Sequence, residues 1–456
     1  MKIQINKSNQ RLKSKFIFSI VSITYIFIYV QHLITSANYS NDANVLKLFN
    51  FGFLPSNFEY LDELLILTLC LVSPLMIKSI NINKRYIPIL LILIPFSIGS
   101  LINGINIFQA IFGLRSIYQN FIFVLIIFLL IPKHKMRLLN YFGILCLINL
   151  LVTIFIIIAN YIYNGSIFLL DAGTGIIGPG HTHISAYLNL LFLILLYFET
   201  FTVKFIRKKY LVGLLIFTSL LMEPKAGFIS LLMVLFFYLF KNKYVSWKIR
   251  FRAITVSILV FLGSFLFMKY SFNIDLRSTY SLVSLYRSNT IYVGNQGGTG
   301  GKVVSYIGLY NEVINKNNYY MLFGRGSGNF LSASSMYFGG INWNDLLPMS
   351  DKNMEKNSGT PFFVTLIGEF GIVGFILFLL FMRNLYKQVH KYRFNKKLYD
   401  FKFSLLLGVL FIFIVGVSEN IMEQQQLSII FWFFSLLIIS DDINIYTWKP
   451  VNILFK

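Results

Sequence analysis

Apolar runs near twenty residues long alternate with short polar connectors along most of this chain, the pattern of membrane-crossing helices. About twelve such spans are expected, near 16–34, 61–77, 87–104, 110–131, 139–162, 183–201, 210–222, 226–240, 253–269, 361–382, 403–418 and 426–440. The predicted fold class is therefore an all-α polytopic membrane protein. The alternation breaks once, over the roughly ninety residues 271–360, which are rich in Gly, Ser, Asn and Tyr with seven Lys/Arg against five Asp/Glu. A segment that long with no apolar span of its own is functional or disordered. It is expected to roof a membrane-embedded active site. The chain then divides into spans one to nine in 1–270, the insert in 271–360, and spans ten to twelve in 361–456.

One stretch strains this pattern. Residues 210–240 are apolar except for Glu223, Pro224 and Lys225. As one helix they would run roughly 46 Å, too long for one crossing of about 30 Å and too short for two full ones. A hairpin turning early at Pro224 is expected, with Glu223 and Lys225 below the membrane surface. Backbone turned at that depth has to line protein or a wet cavity.

Composition supports a membrane protein: of 456 residues, 56% are hydrophobic and only 13% charged. A net charge of +22 would point to nucleic acid in a soluble protein. Here the cations fall on alternate connectors, so no nucleic-acid partner is expected. They comprise the N-terminal Lys2, Lys7, Arg11, Lys13 and Lys15, then groups at 78–85, 133–137, 204–209, 241–252 and 383–397. The intervening connectors at 35–60, 105–109, 163–182 and 271–360 are Gly-, Asn- and Ser-rich with few cations. By the positive-inside rule both termini are cytoplasmic and the insert faces outward. Cys70 and Cys146 both sit in apolar spans, which gives no disulfide framework. The basic start precedes a long span without a small-residue cleavage site and reads as an uncleaved first helix.

No Walker loop, dinucleotide fingerprint or metal-ligand spacing occurs. His181 and His183 lie where an outward Gly-rich loop enters a span. No Cys or carboxylate cluster lies nearby in sequence, so no metal is expected; substrate contact and a plain polar helix entrance both remain open. Arg115 stands a few residues inside an apolar run, where a cation is costly and so a functional candidate, unless it snorkels to the headgroups. Lys225 is a candidate on the same grounds, against a local ion pair with Glu223. Within the insert, Arg277, Arg287, Lys302 and Arg325 stand among Tyr, Ser and Gly. Arg forks suit a diphosphate and Lys supplies a point charge; solvated surface charge and phospholipid headgroups are the competing readings.

Several of these segments, taken in order, resemble the O-antigen polymerase and ligase superfamily of bacterial polysaccharide assembly. GLRSIYQNF, with Arg115, resembles an early "GLR" helix. GIIGPGHTHISAYL is similar to that family's Pro-containing span entrance. LLMEPKAGFISLL is similar to its "SRGA" hairpin, with Lys225 at the arginine position. GGKVVSYIGLYNEV places Lys302 where the family carries an arginine. NNYYMLFGRGSGNF, with Gly324, Gly326 and Gly328, is similar to its "PLxGxGxGNF" segment. NSGTPFFVTLIGEFGIVGFILF looks like the helix after the long loop, with Glu369 and Gly371 in the ELG-like turn. The resemblance covers roughly 105–385. Two expected arginines read as lysine, and Ser358, Gly359 and Thr360 stand where ligases carry a histidine, which favours polymerase over ligase.

The resemblance implies a GT-C-like, multi-pass glycosyltransferase of the bacterial cytoplasmic membrane that uses no cofactor. Its partners would be a donor glycan and an acceptor repeat unit, each on undecaprenyl diphosphate, with membrane lipid around it and a chain-length regulator as a further partner. The acceptor hydroxyl would attack the anomeric carbon with inversion as the lipid diphosphate leaves. Arg115, Lys225, Arg287 and Lys302, with Arg277 and Arg325, are expected to hold the diphosphate. His181, His183 and Glu369 are the candidates to orient or deprotonate the acceptor. A flippase for lipid-linked oligosaccharides is the alternative of another class; it leaves the long insert without a role.

Overall fold

The computed structural model describes residues 18–29, 64–66, 68–69, 87–130, 134–165, 182–197, 200–203, 206–222, 225–241, 246–248, 251, 255, 305–306, 308–327, 329–330, 361–417, 421–422, 424–440 and 451–453. They are mostly helical. In chain order the helices are α1 (Phe18–Tyr29), α2 (Ile87–Leu91), α3 (Leu93–Ile102), α4 (Ile107–Leu130), α5 (Lys135–Asn164) and α6 (Thr182–Tyr197). Then come α7 (Lys208–Leu221), α8 (Lys225–Lys241), α9 (Asn318–Phe323), α10 (Phe362–Lys391), α11 (Lys396–Val415) and α12 (Gln425–Ile439). Two three-residue strands, β1 (Phe201–Val203) and β2 (Val451–Ile453), pair in parallel with Phe201 opposite Val451.

Among the described residues, three helices can cross a membrane by length and composition: Lys135–Ile162, Phe362–Lys391 and Lys396–Val415. A fourth follows if the bent pair Ile107–Arg115 and Tyr118–Leu130 is a single span. The remaining apolar helices among the described residues are shorter, and the spans expected at 61–77 and 253–269 lie largely outside those residues. Where a boundary differs, the packing explains it. The span expected at 361–382 continues to Lys391, because Phe378, Phe381, Leu385 and Val389 keep one face buried while basic residues occupy the other. The span expected at 403–418 starts at Lys396, where the Asn395 side chain accepts from the Leu398 amide at 3.2 Å and caps the helix. The helix that holds the span expected at 110–131 bends by 58° between Arg115 and Tyr118.

Two helices form the interior. Every residue of α12 from Gln426 to Ile439 is buried, and so is every residue of α6 from Ile184 to Leu196. A helix apolar all round has no solvent or lipid face to satisfy and sits at the centre of its bundle. Around α12 lie α4, α10 and α11, and aromatic side chains fill the space between them. Phe378 stacks on Phe413 at 5.7 Å and on Phe431 at 5.8 Å, and Phe121 meets Trp432 edge-on at 4.9 Å. Such pairs add about 0.5–1.5 kcal/mol each beyond the area they bury. On the perimeter, Leu151, Phe155, Ile158 and Ile162 form an exposed apolar stripe along α5 at spacings of four, three and four. That stripe is the expected face toward lipid.

Among the described residues, the cationic connectors around 134–137, 206–209 and 383–397 gather at one end of this bundle. Lys135, at the start of α5, donates to Ser440 Oγ just past α12 at 2.9 Å. Lys402, near the start of α11, donates to the carbonyls of Ile438 and Ser440 at 2.8 and 2.9 Å. Lys208 reaches the carbonyl of Tyr197 at 3.1 Å, Phe237 of α8 meets Tyr386 of α10, and Arg137 lies over Phe18 of α1. Lys135 is not the solvated connector charge that the sequence pattern implies, and Lys402 is a buried cation inside a helix. Lys402 is fully buried and Lys135 nearly so: Lys402 is turned inward onto the last carbonyls of α12, where the helix dipole is negative and backbone acceptors are open, and Lys135 onto the Ser440 hydroxyl beside them.

Candidate functional site

The described part of the insert, Ser305 to Phe330, sits at the opposite end, against α3, α4, α10 and the end of α11. Its anchor is made of glycines. In α10 the helix breaks at Gly371, which has φ 69° and ψ −175°, a conformation open essentially to glycine alone. Gly324 (φ 75°) and Gly326 (φ 85°) turn the insert beside that break. The Arg325 amide donates to Gly368 O at 2.7 Å and the Gly326 amide to Glu369 O at 3.1 Å. A Cβ at Gly324 would lie 2.4 Å from the Glu369 carbonyl carbon, one at Gly371 would lie 2.2 Å from Leu322 O, and one at Gly326 would lie 2.8 Å from the Ser100 backbone. Three backbones thus meet at a distance only glycine permits. The segments that carry two separate sequence motifs, 317–330 and 357–378, are in direct contact here.

Buried polar side chains surround this junction. Glu369 is 0% exposed, in the last turn before the break. Thr365, one turn earlier on the same helix face, is also buried. Ser327 follows the turn directly, and Ser100 lies on α3 against Gly326. Gln109 of α4 reaches Asn329 Oδ1 at 3.4 Å, and Asn329 in turn donates to Arg325 O at 3.1 Å. The hydroxyls of Ser100, Ser327 and Thr365 find no hydrogen-bond partner among the described residues. Hydroxyls, amides and one carboxylate are the set that recognises a ligand rich in hydroxyl groups. Nearby, Tyr306 donates to Val417 O at 2.7 Å. Burial pushes its phenol up to about 12, so the bond persists at any physiological pH.

The sequence candidates fall in different places. Arg325 is not a loose cation: its Nη2 reaches Glu312 Oε2 at 2.7 Å and Glu312 O at 2.8 Å, its Nε reaches the same carbonyl at 3.1 Å, and its guanidinium stacks over Tyr320 at 4.2 Å. Glu312 belongs to a π-helical turn, Tyr310–Ile314, and also pairs with Lys316 at 2.8 Å. The arginine therefore acts as a strut that pins the π turn to the glycine segment. Arg115 lies at the bend of α4, exposed, with Nε donating to Gln119 Oε1 at 2.9 Å. Lys225 is the first residue of α8 and His183 lies in the first turn of α6. His181, Arg277, Arg287, Lys302, Glu223 and Pro224 lie outside the described residues. α7 ends at Leu221 and α8 starts at Lys225, while the turn expected at Pro224 lies outside the described residues; α7 packs on α6 and α8 on α11.

One buried feature has no counterpart among the sequence candidates. Asn149 of α5 donates to Ser185 O at 3.0 Å and to Asn189 Oδ1 at 2.9 Å, and Asn189 faces Thr218 Oγ1 of α7 at 3.5 Å. The signal was present as lone Asn, Ser and Thr residues inside apolar runs. Their four-residue spacing, Ser185 to Asn189 and Asn149 to Thr153, puts each pair on one helix face. Polar side chains of this kind join helices in an apolar surrounding. Among the described residues no three His, Cys, Asp or Glu side chains converge as metal ligands. No family model matches the chain, and no curated protein matches it.

Proposed function

We propose that this chain is a multi-pass glycosyltransferase of the bacterial cytoplasmic membrane that joins undecaprenyl-diphosphate-linked repeat units into a surface polysaccharide. Both termini lie in the cytoplasm and the insert roofs the reaction on the outer face. The reading rests on the ordered sequence motifs. The observation that supports it best is the contact between two of them, the glycine segment Gly324–Gly326 and the broken helix at Glu369–Gly371. An insert fixed to a membrane-length helix by its backbone is suited to cover a site at the membrane surface. It is hard to account for in a carrier built from short connectors.

In the proposed reaction an acceptor hydroxyl forms a bond to the donor's anomeric carbon while the bond to the diphosphate breaks. The hydroxyl proton passes to a base on this chain, and the lipid diphosphate leaves with the electron pair. Because diphosphate is already a good leaving group, fixed cations should matter more than acid catalysis. Arg115, Lys225, Arg287, Lys302 and Arg277 are assigned to that charge. Glu369, His181 and His183 are assigned to the acceptor side. Arg325 is assigned to holding the insert rather than to the diphosphate, because its Nε and Nη2 donors are engaged by Glu312.

The test is deletion of the gene followed by gel display of the surface polysaccharide, then return of the Arg115→Ala and Lys225→Ala variants. Loss of the ladder with a single repeat retained supports a polymerase. Loss of all surface repeats would assign a flippase instead, and polymerised chains left on the lipid carrier a ligase. Normal ladders from both variants, each present in the membrane, would refute the assignment of these cations.

A further inference from the structure

At the basic end of the bundle, the turn between α10 and α11 exposes Phe394 to 86%, more than any other large apolar side chain among the described residues. The turn is rigidly built. Amides of Tyr392, Arg393 and Asn395 donate to Val389 O, His390 O and Tyr392 O at 3.1, 3.2 and 2.9 Å. Asn395 caps α11 through the Leu398 amide, and the Tyr392 ring lies 4.2 Å from the buried Lys402 ammonium. Phe394 therefore points outward because the backbone fixes it there. Lys391, Arg393, Lys396 and Lys397 flank it, all exposed, and Arg393 lies over the Phe394 ring at 4.8 Å. Asp400, six residues after Phe394, interacts with Lys396 and with Tyr238. An aromatic ring ringed by cations, at the mouth of two helices long and apolar enough to cross a membrane, matches one kind of partner: an acyl boundary under negatively charged headgroups.

We infer that the turn 391–397 is a lipid-contact finger that selects anionic phospholipid, with Phe394 at the acyl boundary and the four cations on the headgroups. The inference needs helices α10 and α11 to cross a bilayer with this turn at its surface. It does not depend on the transferase reading, since it concerns the end of the bundle away from the glycine junction. Each cation contributes through screened attraction to the charged surface, so the selection weakens as salt is raised.

The test uses the full chain as Phe394→Trp in bilayers containing brominated-chain phosphatidylglycerol or, at the same share, brominated-chain phosphatidylcholine, with the wild-type chain as reference for its own tryptophans. The added emission should be quenched by both and several-fold more strongly by the anionic lipid. High salt should shrink the difference, and Arg393→Gln with Lys397→Gln should remove most of it. Equal quenching by the two lipids would overturn the selectivity. No quenching by either would place Phe394 outside the bilayer and overturn the proposal, leaving an acidic protein as the partner to seek. Should the tryptophan variant not be obtained monodisperse, phosphatidylglycerol retained through purification is compared between wild type and the Arg393→Gln, Lys397→Gln chain, and equal retention would count against the finger.

Discussion

Gly371→Ala should be among the most damaging single-methyl additions in this protein. The alanine would have to hold φ near 69° with extended ψ, at a cost of about 1–3 kcal/mol. Its Cβ would also stand 2.2 Å from Leu322 O and 2.4 Å from Leu322 C, both backbone atoms with no rotamer to change. Relief requires the insert to back away from α10. That breaks the Arg325 N to Gly368 O and Gly326 N to Glu369 O hydrogen bonds, at about 1 kcal/mol each. The combined loss, about 4 kcal/mol, is a large share of an ordinary folding free energy. The control lies in the same chain. Gly213 is on an exposed face of α7 with nothing within 4 Å of an added Cβ, so Gly213→Ala should be neutral or gain up to about 1 kcal/mol of helix propensity. The assay is the temperature at which detergent-purified protein loses its monodisperse elution peak, together with protease cutting within 305–330. Gly371→Ala should melt several degrees lower and be cut sooner, whereas Gly213→Ala should match the wild type. If the two variants melt together and resist protease equally, the glycine junction is not what anchors the insert.

Arg325→Lys should loosen the insert although the charge is kept, because lysine cannot make the forked contact to Glu312 O and Oε2; limited proteolysis should show faster cutting, and Glu312→Gln should add little once Arg325 is gone. Lys402→Ala should lower the melting temperature by an amount equivalent to about 1–3 kcal/mol, since it strips two carbonyls at the end of α12 of their donor; Lys402→Met, which fills the space, should be milder, and equal melting of both with wild type would contradict the capping role. Asn189→Leu should cost only about 0.6–1.7 kcal/mol, the scale of polar contacts between membrane helices, and a double-mutant cycle with Asn149→Leu should show coupling between the two.

Much of the helical pattern was legible because apolar run length is a local property. The break at Asn103–Asn106 could be read from its Gly and Asn residues alone. The extension of α10 to Lys391 was hidden by its cations, although the spacing of Phe378, Phe381, Leu385 and Val389 carried it. Lys402 was similarly legible in principle, since it shares a face with Leu398, Leu405 and Val409. The junction was not. Glycines at 324, 326 and 371 can be seen, but which backbone each admits depends on contacts across about fifty residues of chain for Gly324 and Gly371 and more than two hundred for Gly326. Likewise a sequence shows Arg325 as a cation and cannot show that Glu312, thirteen residues earlier, is carried round to it by a π-helical turn.

That last pairing changes how the cations at the insert end should be weighed. An arginine that serves a diphosphate needs its fork presented to the ligand, and moving it off an existing carboxylate sets the new contact against the old. Arg325 holds Glu312 through three donor contacts and a stacked ring, so using it for substrate would release the π turn and Lys316 with it. Arg115 is differently placed. It is exposed at the bend of α4, with its Nε donating to Gln119 Oε1 at 2.9 Å, and it lies outside the insert that Arg325 holds. The proposed function therefore predicts a split between the two. Arg115→Ala should stop polymer growth while insert proteolysis stays at the wild-type rate. Arg325→Ala should speed proteolysis first and lower polymer length only as far as the insert is released. Polymer loss from Arg325→Ala with an insert as protected as in wild type would return that arginine to the substrate and refute the strut.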